Sequence, residues 1–251
     1  MSSIVKPLLL QSLRSGGLYL LVIALSLAIS ATTALKFSNN QVQNAVALQA
    51  AEMLGADVVL SDSTPIQPQW LQQAQQLKLK STAVTVFGSM AHTQDQFVMV
   101  NVKAVDAHFP LRGSLEIQPP ASQLQPGQVW LSPRAMDLLH SKLGDQVAIA
   151  DGQFTVSGVI EHDSNQELGF SGFSPTVMIH QADIAKTNAI QVGSRIEYRL
   201  LMAGAPEQVN AFKQNFEQHF KPQSSPQNAH EQANNTIEAN SLKLRDASQS
   251  N

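Results

Sequence analysis

Residues 16–35 read GGLYLLVIALSLAISATTAL, twenty positions without a charge, with Lys6 and Arg14 ahead of them. A helix of that length spans about 30 Å, the thickness of a bilayer's hydrocarbon core. The sequence beyond Phe37 mixes polar and apolar residues as a soluble domain does. One membrane anchor carrying one extracytoplasmic domain is therefore expected.

A cleaved secretory signal is the competing reading, because the small residues Ala31, Thr32, Thr33 and Ala34 at the end of the run loosely fit a cleavage site. A signal's apolar region is shorter, roughly 7–15 residues. The length favours a retained span over 16–37. Residues 1–15 place Ile4, Val5, Leu8, Leu9, Leu10 and Leu13 among polar neighbours, as a cytoplasmic or interfacial amphipathic segment would. Lys6 and Arg14 put the N-terminus in the cytoplasm by the positive-inside tendency, with the region around Asp57 on the far side.

The 251 residues hold the anchor and one or two domains. A net charge of -3 without a basic block argues against nucleic acid as a partner. With no cysteine, disulfides and thiolate metal sites are excluded.

Helical spacing continues past the span through Val42, Val46, Ala50, Met53 and Leu54 to a stop at Gly55. Asp57 to Leu60 reads as a buried strand, and Trp70, Leu71, Ala74 and Leu77 as a helix face. Strands follow at 83–87 and 97–105. Pro119, Pro120, Pro126 and Gly127 then punctuate the chain. Ser132-Pro133 opens a helix expected to run to Gly144, with strands at 147–149, 154–160 and 176–179. A strand from Arg195 to Met202 and a helix from Pro206 carrying Val209, Phe212, Phe216 and Phe220 close the pattern. A loop is expected over 222–235 and fraying over 241–251.

The expected class is α+β: one N-terminal transmembrane helix, then a two-lobed domain. An α+β lobe comprises 38–105 and 194–240, a β-rich inserted lobe 106–193, and a tail 241–251 leads toward a missing second span.

Signatures of chemistry are absent. No phosphate-binding loop occurs. Gly169-Phe170-Ser171-Gly172-Phe173 misplaces the second glycine of a nucleophile elbow and reads as a loop, with Phe170 and Phe173 as a candidate hydrophobic contact. Glu161-His162-Asp163 reads as a polar turn, since neighbouring strand residues point apart and cannot converge on one ion. The other histidines, at 92, 108, 140, 180, 219 and 230, lack metal-site spacing. The Phe212, Phe216, Phe220 stripe has core spacing rather than that of a ligand groove. No catalytic, cofactor-binding or metal residue is assigned, no cofactor is expected, and the chain reads as a non-enzyme.

Several stretches carry a resemblance in a fixed order: Gln49 to Leu60 (QAAEMLGADVVL), Val102 to Val105 (VKAV), Phe109 to Gly113 (FPLRG), Leu143 to Asp145 (LGD) and Gly193 to Leu200 (GSRIEYRL). Together they resemble the MacB-like, FtsX-type permeases of ABC transporters, particularly the large YbbP-type members. The resemblance implies a periplasmic core of two subdomains in a bacterial inner-membrane permease. It also implies a cytoplasmic ABC ATPase subunit as partner, contact with membrane lipid, a second permease copy, and hydrophobic cargo. Members of that family continue into further spans, so a fragment is expected. An anchored periplasmic binding or scaffolding module working without an ATPase is the alternative reading.

Overall fold

The computed structural model describes residues 17–165, 174–191, 193–220 and 242–246. The segment 1–15, the Gly169–Phe173 motif, the loop at 222–235 and His230 lie outside them. The chain divides into two compact units, Met1–Val46 and Ala47–Asn251.

One helix, α1 (Gly17–Leu54), carries the apolar run and continues into the helical spacing read beyond it. The described side chains of 21–37 are exposed. Hydroxyls along it turn inward: Ser26 donates to the Ile23 carbonyl at 2.9 Å, Ser30 to Ser26 at 2.7 Å and Thr33 to Ile29 at 2.8 Å. Among the described residues no helix is long and apolar enough to cross a membrane.

The described residues of the second unit form ten strands: β1 (Val58–Asp62), β2 (Lys80–His92), β3 (Phe97–Val105), β4 (Leu115–Gln118), β5 (Gln128–Leu131), β6 (Gln146–Ile149), β7 (Gly152–Asp163), β8 (Thr176–His180), β9 (Ile196–Ala203) and β10 (Lys243–Asp246). The helices are α2 (Pro68–Gln76), α3 (Pro133–Leu139), α4 (Ile184–Thr187) and α5 (Pro206–Phe220). The strands lie in the order β10-β1-β9-β2-β3-β8-β5-β7-β4, and β6 pairs with both β2 and β7. Among the described strands only β3/β8 and β5/β7 pair in parallel.

That double pairing of β6 closes β2, β3, β8, β5, β7 and β6 into a ring, completed by Ala91↔Ile149 and His92↔Ala148. Phe87, Val102, Leu131, Val147, Phe154 and Ile179 fill its interior, with Ala135 and Leu139 of α3 packed among them. In the open half, α2 and α5 cover one face of β1 and β9. Trp70, Ala74, Val209 and Phe212 pack there on Val58, Leu60, Leu200 and Met202. The opposite face holds a third cluster, including Val59, Val84, Val86, Val105, Phe109, Ile117 and Met178, with Leu54 and Leu111 against it. The long β2 serves both halves, pairing β9 from Lys80 to Phe87 and β3 from Thr85 to His92.

Four local expectations change. The helix α3 stops at Leu139 rather than near Gly144. His140 adopts a left-handed φ of 49°, and the Ser141 N–H closes back on the Met136 carbonyl at 3.1 Å. The stretch Glu161-His162-Asp163 is the end of β7, not a turn, because β4 pairs alongside it. Residues 243–246, expected to fray, add a strand to β1. The short strands β4 and β5 are not expected from sequence, since each abuts a turn signal, Pro119-Pro120 after β4 and Pro126-Gly127 before β5, that reads as loop.

Candidate functional site

Where α1 ends, three separate stretches of chain meet. Gly55 terminates the helix with φ +70°, and its N–H reaches the Glu52 carbonyl at 3.1 Å. The carbonyl of Gly55 accepts two amides from another loop, Leu111 and Arg112, each at 3.0 Å. Two residues on, both carboxylate oxygens of Asp57 are gripped by Arg112: Nε to Oδ1 at 2.9 Å and Nη2 to Oδ2 at 2.8 Å. The same Oδ2 accepts the Gly204 N–H at 3.0 Å, tying in the segment after β9. The hydrogen bond from Asp57 raises the Arg112 guanidinium above its ordinary value; partial burial opposes this and the Asp57 charge adds to it.

Gly113 fits here only without a side chain. Its φ is +81°, and a Cβ would sit 2.0 Å from Ser164 Oγ and 3.1 Å from the Glu52 carbonyl oxygen. Ser164 in turn accepts the Ser114 N–H at 3.0 Å and donates its own N–H to the Ser114 carbonyl. The loop 111–114 is thus clasped between the helix end and the segment after β7.

Beneath this joint lies Lys103 of β3, 0% exposed. Its ammonium donates to Asp163 Oδ2 at 2.8 Å and to the Asn165 carbonyl at 2.7 Å, and it sits 4.9 Å from the centre of the Phe109 ring. Asp163 Oδ1 accepts the Asn165 N–H at 3.0 Å. The Asn165 side-chain amide then reaches across to the Met53 carbonyl at 2.9 Å.

The sequence placed Asp57, Lys103 and Arg112 in three separate motifs, and the fold brings them to one joint. By sequence Asp163 belongs to a polar turn, and Asn165 carries no signal at all. The available clue was Lys103 itself, a lone charge in the otherwise uncharged strand FVMVNVKAV, which requires a buried partner. Glu161 and His162 are exposed, while Asp163 turns inward.

No group of three or more metal-ligating side chains occurs among the described residues. His92 stacks on Phe97, His108 lies 3.7 Å from Asp106, and His180 accepts the Ala182 N–H. Phe212 and Phe216 pack against Trp70, so that stripe is core over the described side chains. A cleft of about 250 Å³ lies on the covered face of β2 and β9, lined by Ile66, Pro68, Leu71, Tyr198 and Leu200 among others.

A sequence model of the MacB-like periplasmic core domain matches residues 18–219. The chain belongs to that family. Its MacB-like core is 32% identical over 203 residues to an uncharacterised ABC transporter permease, YbbP, of Escherichia coli (strain K12). That match covers 80% of this chain and 25% of the relative, so the chain spans about a quarter of the curated relative's length. Among solved structures it is similar to the periplasmic region of MacB from Actinobacillus actinomycetemcomitans, at 10% identity and a TM-score of 0.49, covering 80% of this chain and 94% of that one. It is also similar to the extracellular domain of the ABC-type transporter YknZ from Gram-positive bacteria, at 10% identity and a TM-score of 0.45, covering 75% and 100%. The MacB-like match takes in α1 from residue 18, the joint and α5.

Proposed function

We propose that this chain is the membrane-anchored periplasmic part of an ABC transporter permease in the bacterial inner membrane. Its N-terminus faces the cytoplasm. The span is 16–37, followed by an α+β lobe (38–105 and 194–240) interrupted by a β-rich lobe (106–193). A separate cytoplasmic ABC ATPase hydrolyses ATP; the permease itself does no covalent chemistry and converts that work into movement of the periplasmic lobes, exporting or extracting a hydrophobic substrate. A second permease copy and the surrounding lipid complete the assembly.

The family match over 18–219 carries this reading, because it runs without interruption from the apolar helix into the core domain. Two further observations support it. The run 16–35 has no charge, and the Ser and Thr hydroxyls described along α1 are satisfied by carbonyls of the same helix, as hydrocarbon surroundings demand.

Two measurements test the proposal. The chain has no cysteine, so single cysteines at Ser12 and at exposed Ser63 give clean reporters in intact cells. Labelling of position 63 from outside and protection of position 12 is expected; the reverse pattern overturns the orientation. Purification of the chain from membranes is expected to bring down an ABC ATPase subunit. Its reproducible absence would leave an anchored scaffold module instead.

A further inference from the structure

The joint contains a charge that packing alone does not call for. Lys103 lies on a face of β3 whose neighbours Val86, Val105 and Met178 are apolar, and a leucine or methionine would fill the same space without desolvating an ion. All of its donors are directed at one short segment and one ring. The Asp163 carboxylate and the Asn165 carbonyl take the hydrogen bonds, and Phe109 offers its face. These bonds fix Asn165 from two sides, since Asp163 also holds its backbone N–H.

What Asn165 does with that fixed position is reach the helix. The Met53 carbonyl belongs to the last turn of α1, where carbonyls have no partner within the helix. The Asn165 amide donates to it from 112 residues away in sequence. A Cβ built on Gly55 would stand 3.4 Å from Asn165, so the two segments are in close contact as well as hydrogen-bonded.

We propose that Lys103 is a positioning residue for the end of α1: through Asn165 it locks the last turn of the helix to β3 and β7. This deepens the coupling reading and rests on it. A displacement arriving along α1 is then delivered to two strands of the closed ring rather than lost in the turn at Gly55–Asp57.

The test uses the full chain in detergent micelles, with amide hydrogen exchange as the readout. Asn165→Asp keeps the shape of the side chain and replaces the donor facing Met53 with an acceptor, so a role in packing alone would leave it unchanged. Exchange is expected to rise about tenfold or more at Ala56, Leu111 and Arg112, whose N–H groups bond the helix end, while the β2–β9 ladder stays within about twofold. Lys103→Met is expected to loosen the same amides. Should Lys103→Met not fold, Asn165→Asp and Asn165→Ala decide the matter by themselves. Wild-type exchange at those three amides in both Asn165 variants overturns the proposal, and so does a uniform rise across the sheet. Spin labels at Gln49→Cys and Glu116→Cys give a second readout, a distance distribution that broadens in Asn165→Asp; an unchanged distribution counts against the lock. Neither measurement needs an ATPase, so a failure here is distinct from a failure to find that partner.

Discussion

Arg112 and Asp57, 55 residues apart in sequence, meet in a two-pronged ion pair with N–O distances of 2.9 and 2.8 Å. The pair closes the turn by which the chain leaves α1 and enters β1. Its members differ in what else they do, and that difference is measurable. Arg112 is 43% exposed and its charge is screened by water, so Arg112→Ala is expected to cost about 0.5–1 kcal/mol. Asp57 also accepts the Gly204 N–H, and Asp57→Ala leaves that donor and the guanidinium without their acceptor. A loss of about 1.5–3 kcal/mol is expected in urea unfolding. A larger loss from Arg112→Ala than from Asp57→Ala would contradict this assignment.

Gly113→Ala meets two obstacles of different origin. The clash with Ser164 Oγ at 2.0 Å is a contact of side chains, whereas φ +81° is a property of the backbone. The substitution is expected to lower stability by about 2–4 kcal/mol in total. Adding Ser164→Gly removes the clash and is expected to restore only part of that loss, leaving the left-handed penalty of about 1–2 kcal/mol and the loss of the acceptor for the Ser114 N–H. Full recovery in the double variant, measured by chemical denaturation, would show that backbone conformation is not limiting.

Glu197 sets a pH dependence. Burial alone pushes its carboxyl up, but the hydrogen bond and charge of Arg199, the charge of Arg245 and the Ser61 hydroxyl outweigh this and hold it below the ordinary glutamate range. A carboxyl depressed in the folded state stabilises above its unfolded value, and that contribution disappears as pH falls through the folded value. The urea midpoint of the wild type is therefore expected to drop toward that of Glu197→Gln between about pH 5 and pH 3. Parallel curves for the two proteins across that window would exclude the assignment.

Beneath α2 and α5, Trp70 contacts Phe212 with ring centroids 6.1 Å apart and Phe216 at 5.1 Å. Phe212 is fully buried, while Phe216 is only partly covered. Phe212→Ala is expected to cost about 3–5 kcal/mol, and Phe216→Ala distinctly less. Thermal unfolding followed by Trp70 fluorescence, with Trp130 replaced by Phe as background, reads both. Equal losses would mean that α5 does not pack as described.

Much of the secondary structure was legible. Periodicity located α1 as far as Gly55, the buried strand at 58–60, the long strands β2 and β3, and α5 from Pro206. Each of these is long, or bounded by a residue whose backbone preference stops the chain. Two further stretches misled, for physical reasons. The end of β7 is polar because Asp163 serves a buried lysine, and β10 has little apolar surface because it is an edge strand held by its ladder to β1 and by Lys213 against Asp246.

The sequence alone determined the uncharged helix, its stop at Gly55, the lack of cysteine, and the ordered motifs that mark a MacB-like core. These depend on residues near one another along the chain, where length, charge and turn preference act directly. Only the tertiary structure decided that β6 closes a ring, that Arg112 finds Asp57, and that Lys103 reaches the helix end through Asn165. Such pairings join residues tens of positions apart. Burial makes an unpartnered charge costly and so demands a partner, but nothing short of the folded sheet says which residue supplies it.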